Sequence, residues 1–430
     1  MTSISNPVIS VQKKSAINPI IIIGALFFIF GFVTWLNSVL IPYLKIACQL
    51  NNFESYLVTS AFYIAYLLMA KPSAWVLKLF GFKNGMAVGL IVIALGALIF
   101  IPAALTRVYS VFLIGLFVQG TGLAILQSAS NPYITIIGPP EGAAKRMSIM
   151  GIFNKCAGVL APIALGALVL NNIDGFSANL IKLTPAEKII QLNELAARVI
   201  LPYIIIVVVL SVLAVLIYFS GLPEIDTEHE DEAVAAANSG KSSIFQFPHL
   251  ILGVIALFFY VGAEVIAGDS IIGYGTANHI PLSVAKYFAS GTLICMVIGY
   301  CAGILFIPRY ISQQKALVYS AILGAVLTIL ALVTPKYISI GCIALLGLAN
   351  ALMWPAIWPL ALSGLGRFTK IGSSLLVMGI AGAAVFPPLY GLLVDKLSAQ
   401  EAYMILIPIY LFIFYFATIG YKKGKHVIAV

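Results

Sequence analysis

The run VILPYIIIVVVLSVLAVLIYFS at 199–220 is followed at once by GLPEIDTEHEDEAVAAANSGKSSIFQ at 221–246. The first stretch carries no charged side chain, and a helix crossing a bilayer needs about 20 apolar residues. It therefore reads as a membrane span. The second holds Glu224, Asp226, Glu228, Glu230, Asp231 and Glu232 and then runs through small and polar residues, the composition of a solvated linker. A span and an acidic linker at the middle of a 430-residue chain divide it into two membrane halves.

Outward from this point the apolar runs continue. Their approximate limits are 17–44, 55–78, 85–105, 110–138, 146–170 and 199–220, then 247–275, 283–307, 315–334, 338–363, 371–394 and 402–421. The expected architecture is an all-α integral membrane protein of twelve transmembrane helices in two six-helix, pseudo-symmetric bundles. The bundles occupy 1–220 and 247–430, with the linker 221–246 in the cytoplasm. The alternating segments of about 10 residues that mark a membrane β-barrel are absent. The break at about 171–198 reads as an external loop with a short surface helix starting near Thr184 and Pro185.

Composition agrees. The chain is 61% hydrophobic and 9% charged, where a soluble domain has roughly 25% charged residues. Mean hydropathy is +1.07. A soluble enzyme, a disordered chain and a secreted disulfide scaffold are excluded. The net charge of +9 comes from basic residues scattered in ones and twos, with no basic stripe for nucleic acid. Sorted by alternating loops, fourteen basic residues fall on one side and eight on the other, which places both termini in the cytoplasm. The first apolar run is long and lacks a small-residue cleavage site, so no cleaved signal is expected. The five cysteines form no CxxC and read as small buried hydrophobes.

Charge inside the spans is rare and therefore informative. Away from the span ends, only Lys71, Lys155, Glu264 and Asp269 fall within them. A charge at the bilayer centre is disfavoured by about 2.5–3.5 kcal/mol on insertion scales, and persists where it faces a partner or a wet cavity. Glu264 and Asp269 share span seven, about 140° apart on a regular helix. Gly262, Gly268, Gly273 and Gly275 permit a bend or break there, and a broken helix frees carbonyls that bind a cation beside a carboxylate. Lys155 could pair with one of these carboxylates or donate to a substrate hydroxyl.

Neutral polar residues line the same spans. Asn37 and Ser38 interrupt span one. Gln127 and Asn131 share a face of span four, as do Asn350, Trp354 and Trp358 in span ten, and Asn154 precedes Lys155. One buried amide is commonly helix–helix glue; stripes in corresponding spans of both halves favour a polar cavity. Amides both donate and accept, which suits sugar hydroxyls, and tryptophan offers a flat face to the C–H side of a pyranose. No arginine lies mid-span to clamp a phosphate. A P-loop is absent, so transport is driven by a gradient or is passive. Tyr63 and Tyr260 are further lining candidates.

The chain resembles the fucose/glucose/galactose permease family of the major facilitator superfamily. The matching stretches are WLNSVLIP at 35–42, SAFYIAY at 60–66, LQSASNPYITIIGP at 126–139, AAKRMSIMGIFNK at 143–155, FFYVGAE at 258–264 and GSSLLVMGIAGAAVFPPLYG at 372–391. The resemblance implies the major facilitator fold, alternating access and cation-driven hexose uptake. It also implies departures. The fucose-permease branch has an Asp where this chain has Ser38 and a Glu where it has Gln127, so the charge has moved from the first half to span seven. That relocation is similar to glucose/galactose-type members, some of which use sodium.

These readings give sodium–hexose symport, with Asp269, helped by Glu264, as the coupling centre and Asp269 as a candidate sodium ligand. Proton symport is the alternative, and efflux of drugs or metabolites the second class. A broad efflux cavity would be mostly apolar and Met-rich. A sugar sensor would need an output domain for which the linker and termini leave no room, and an intramembrane enzyme would need catalytic pairs that four scattered histidines do not supply. No cofactor is expected beyond a co-transported Na+ or H+. The expected partners are a small sugar and membrane lipid, with no nucleic acid, for a monomer in the inner membrane.

Overall fold

The structure is a computed structural model and describes residues 19–136, 143–180, 182–222, 243–307, 309–365 and 368–424. Most of the acidic linker, Gly138 and both chain ends lie outside the described residues. Among those described, every regular element is helical. Eleven stretches of the described residues are long and apolar enough to cross a membrane.

The first part of the chain forms α1 (Pro19–Trp35), α2 (Asn37–Ala47), α3 (Asn52–Leu68), α4 (Ala70–Thr106), α5 (Tyr109–Ile136), α6 (Ala143–Val169), α7 (Ile173–Leu180), α8 (Pro185–Ala197) and α9 (Ile200–Phe219). The second forms α10 (Pro248–Asp269), α11 (Ile271–Ala277), α12 (Leu282–Ala285), α13 (Phe288–Phe306), α14 (Gln313–Val333), α15 (Lys336–Ala351), α16 (Met353–Leu362), α17 (Thr369–Met378), α18 (Gly382–Lys396) and α19 (Leu406–Thr418).

Several predicted spans are built from two pieces. Span one breaks at Leu36 between α1 and α2, span ten at Leu352, and span eleven passes through a 3-10 turn at Gly379–Ala381. Spans two and three are separated within Lys78–Lys83, by a one-residue turn at Gly81. The stretch Ala70–Thr106 is two helices that meet at Gly81, whose φ of 76° is open to glycine and costly for other residues. The predicted surface helix at Thr184–Pro185 forms, with a reciprocal cap between Thr184 and Glu187. It is docked rather than merely superficial. Leu192 and Leu195 are buried, and Tyr43 OH donates to the carbonyls of Leu195 and Ala196 at 2.8 and 2.9 Å.

The two parts of the chain meet along α3 with α18 and α6 with α13, and α10 also touches α2. Two carboxylates cross between them at one end of the molecule. Asp395 Oδ2 accepts from Phe53 N at 2.9 Å, and Oδ1 from Asn52 Nδ2 at 2.6 Å, at the start of α3. Asp174 Oδ1 accepts from Leu282 N at 2.9 Å and Oδ2 from Ser283 N at 3.2 Å. Each part thus lends a carboxylate to backbone amides of the other. Burial opposes ionisation of Asp174, but the hydrogen bonds from Ser283 and Leu282, with Lys286 nearby, outweigh it and hold its carboxyl below the usual range. A group depressed in this way contributes above its unfolded pKa and loses its contribution as pH falls through the lowered value. Asp395→Ala together with Asp174→Ala is expected to raise the alkylation rate of a cysteine placed at Thr276 several-fold at neutral pH. An unchanged rate would deny these contacts a closing role.

Candidate functional site

Helix α10 lies at the centre of the arrangement and is buried along nearly all its second half. Both of its carboxylates are inside, with Glu264 7% and Asp269 2% exposed. Their surroundings differ. Lys155, midway along α6, places Nζ 2.7 Å from Glu264 Oε1. Of the two readings open for Lys155, the pairing across the bundle is the one observed. The same ammonium lies over the Trp35 ring, 4.7 Å from its centroid, a cation–π contact.

Trp35 itself is held by close backbone approach. A Cβ on Gly158 would come 2.5 Å from Trp35 Cδ1, and one on Gly268 would strike the other side of the ring. The indole is therefore clasped between α6 and α10, with Nε1 buried and unpartnered among the described residues. Tyr260, Tyr300 and Tyr410 lie close enough to Glu264 to feel its charge. Tyr410 OH also donates to Asn350 Oδ1 at 3.0 Å, while Asn350 Nδ2 has no partner there. Tyr260 faces Trp354 at 6.5 Å between ring centroids, and Trp354 stacks on Trp358 at 5.3 Å.

On the other side, Gln127 Nε2 donates to Tyr66 OH at 2.6 Å, and Tyr66 stacks on Tyr63 at 6.0 Å. Asn131 is half-buried one turn further along α5. Asn154 Nδ2 reaches Phe27 O at 3.4 Å. Asn37 is 1% exposed and its Nδ2 is unpartnered among the described residues. Ser38 serves the backbone instead, with Oγ donating to Trp35 O at 2.8 Å across the break in span one.

Asp269 has no basic nitrogen within 4.0 Å among the described residues, and its Oδ1 has no hydrogen-bond partner. The groups facing it are neutral and come from α3: Thr59, Tyr56 and Tyr63. The anticipated break in span seven is present but slight. Ser270 keeps right-handed helical backbone angles, its N–H bonds to Ile266 O at 3.0 Å, and Tyr274 N–H bonds to Ser270 O at 2.8 Å. Ser270 Oγ donates to Ile266 O at 2.6 Å and shares a 2.7 Å hydrogen bond with Tyr403 OH. Of the oxygens that the sodium reading would use, Ile266 O, Ser270 O and Ser270 Oγ already take part in hydrogen bonds. Among the described residues no group of three or more His, Cys, Asp and Glu side chains is placed to hold a metal.

Trp35, Thr59, Tyr66, Tyr300 and Tyr410 are additions to the residues named from sequence. A lone Trp, Thr or Tyr in an apolar run looks the same whether it packs a core or touches an ion pair. Only the glycines opposite Trp35 carried a signal, and it is readable only once the helices are placed. Together the residues form a polar axis of amide donors, phenols and indole faces around one ion pair and one lone carboxylate. Orphaned buried donors in a native protein call for a partner, and Trp35 Nε1, Asn37 Nδ2 and Asn350 Nδ2 are donors of the kind that a hydroxyl oxygen satisfies.

Comparison with known proteins gives the same direction. The family model described as Major Facilitator Superfamily matches residues 23–379. A glucose/galactose transporter of Brucella abortus biovar 1 (strain 9-941) is 35% identical over 405 residues, 93% of each chain. An L-fucose-proton symporter of Escherichia coli (strain K12) is 30% identical over 389 residues, 89% of this chain and 88% of that one. The solved structure of FucP, a major facilitator superfamily transporter in the outward conformation, superposes with a TM-score of 0.72 at 29% identity, covering 94% of this chain and 99% of that one.

Proposed function

This chain belongs to the major facilitator superfamily, and from that membership and the polar axis we propose that it takes up a neutral hexose or 6-deoxyhexose together with a proton, by alternating access. The observation that carries the reading is Asp269, a buried carboxylate with an orphan oxygen at the junction of the two halves. A carboxylate so placed has little stabilisation as an anion and is made neutral by one proton. Of the relatives named above, the one whose name specifies an ion is a proton symporter. The sodium reading has weaker support because several of the oxygens it would use are already hydrogen-bonded. Sugar contacts fall to Asn37, Gln127, Asn131, Asn154, Asn350 and Trp354, with Tyr63 and Tyr260 lining the cavity.

The same reading supplies twelve spans. Residues Asn52–Phe80 cross as the second, since α3 alone is 17 residues long and the turn at Gly81 ends the crossing. The halves are 1–220 and 247–430, joined by the cytoplasmic linker 221–246, in the inner membrane with both termini inside and as a monomer. The end closed by Asp174 and Asp395 is then the external one.

The test is uptake of labelled L-fucose, D-glucose and D-galactose into proteoliposomes. Accumulation is expected to persist when sodium is replaced by choline at fixed pH and to collapse when a protonophore is added. Accumulation lost in choline would restore the sodium reading. Export of dyes with no sugar counterflow would replace uptake by efflux.

A further inference from the structure

Between the two halves, at the end closed by Asp395, lies a cavity of about 260 Å³. The first half lends Lys45, Asn52 and Tyr56 to its wall, and the second Gly273, Thr276 and Tyr390. Tyr56 and Tyr390 meet edge to face with ring centroids 5.6 Å apart. A Cβ on Gly391 would come 2.6 Å from Tyr56 Cδ2, so α18 holds that phenol in place. Gly273 acts in the opposite sense. A Cβ there would meet only the Tyr56 hydroxyl, at 3.5 Å, and the missing side chain leaves space. The wall is polar: Lys45 Nζ donates to Asn52 Oδ1, Asn52 Nδ2 to Asp395 Oδ1, and Thr276 Oγ1 to Gly273 O. Thr276 is exposed, which leaves the cavity open at its outer rim.

We infer that this cavity is a second site for a neutral monosaccharide, and that a sugar bound in it holds the external end closed. The inference rests on the sugar-uptake reading above and goes beyond it. None of the described residues to which sugar contacts fall lines the cavity. Two phenol rings, an ammonium donor, and hydroxyls and an amide that both donate and accept suit a ring bearing hydroxyl groups. Lys45 and Asp395 are of opposite sign and are bridged by Asn52, which favours a ligand without charge. The volume lies just below the range of about 300–1,000 Å³ usual for small-molecule pockets, so it takes one sugar ring and no longer chain. Both halves build the wall, and the cavity therefore exists only while they meet here. A ligand that binds one of two states shifts the population towards that state. External sugar in the cavity thus opposes opening and slows the return of the empty carrier. The fraction of closed carrier free to open falls to about half when external sugar equals the dissociation constant of the cavity. At high external concentration the sugar restrains its own uptake.

The experiment measures initial uptake of labelled L-fucose, D-glucose and D-galactose by the full-length protein in right-side-out membrane vesicles. External sugar is raised well beyond saturation, with osmolarity held constant by glycine betaine and uptake by vesicles without the protein subtracted. For a transported sugar the rate is expected to rise, pass a maximum and then fall to about half as the cavity fills. Gly273→Leu, which occupies the cavity, should keep the rate below saturation and give a plateau in place of the fall. Ala277→Leu fills the same cavity from its exposed edge and decides the matter should Gly273→Leu fail to fold. A plateau in the unaltered protein, or a fall that a folded leucine variant retains, overturns the inference and leaves the sugar reading standing. Uptake of none of the three sugars by the unaltered protein overturns the sugar reading, and the inference with it.

Discussion

Lys155→Met is expected to destabilise the protein by about 3–5 kcal/mol, the usual cost of removing one partner from a buried ion pair. The substitution keeps the length and apolar stem of the side chain, so packing against Trp35 is nearly preserved. What is lost is the ammonium that lies 2.7 Å from Glu264 and 4.7 Å from the indole centroid. Glu264 is then left as a carboxylate among Tyr260, Tyr300 and Tyr410, none of which carries positive charge. Adding Glu264→Gln should restore most of the loss, because a neutral amide costs far less to bury than an unpaired charge. The measurement is the thermal unfolding midpoint of the purified protein in detergent for both single variants and the double. If the double variant is no more stable than Lys155→Met, the loss belongs to packing and the ion pair has no structural weight.

The second large effect is steric. A Cβ on Gly382 would lie on the carbonyl oxygen of Phe258 and 2.7 Å from its carbonyl carbon. The obstacle is backbone, not the tip of a mobile side chain, so α10 and α18 would have to move apart. Overpacking of this kind costs about 1–3 kcal/mol and at times more, and small residues at such contacts are what let membrane helices approach. Gly382→Ala should therefore lower the unfolding midpoint and slow transport, since α18 also packs on α3 across the two halves. Gly291→Ala and Gly341→Ala provide the comparison. Both are helical positions where an added Cβ meets nothing within 4 Å, and alanine favours a helix over glycine by about 1 kcal/mol. They should be neutral or stabilising. Equal loss at Gly382 and Gly291 would point to helix propensity and not to the α10–α18 contact.

How far the sequence reaches is visible residue by residue. Apolar run length located the membrane crossings because a bilayer leaves the backbone no other choice. Run length is blind to breaks inside a run. Leu36 and Leu352 sit at chain turns within continuous apolar stretches, and nothing in a leucine announces that. At Gly81 the charged Lys78 and Lys83 do mark the break between two helices, but not that one residue makes the whole turn. In the candidate site, rarity of charge singled out Lys155, Glu264 and Asp269. Which carboxylate takes the lysine depends on the rotation of α6 against α10, a tertiary fact. Ser38 shows the limit of polar residues as site markers, because a hydroxyl in a helix is as readily used by its own backbone. The bend at Ser270 was foreseen from its glycines, but its extent was not, and the extent is what withdraws support from a sodium site.

Trp35 has a use of a different kind. The chain has four tryptophans, Trp35, Trp75, Trp354 and Trp358. With phenylalanine at the other three, the protein would hold one chromophore, lodged between its halves and bathed in the electric field of the ion pair. Its emission would shift whenever the ammonium moves or the clasp of Gly158 and Gly268 loosens. The transport cycle would then be legible in ultraviolet light, in real time and without an added dye.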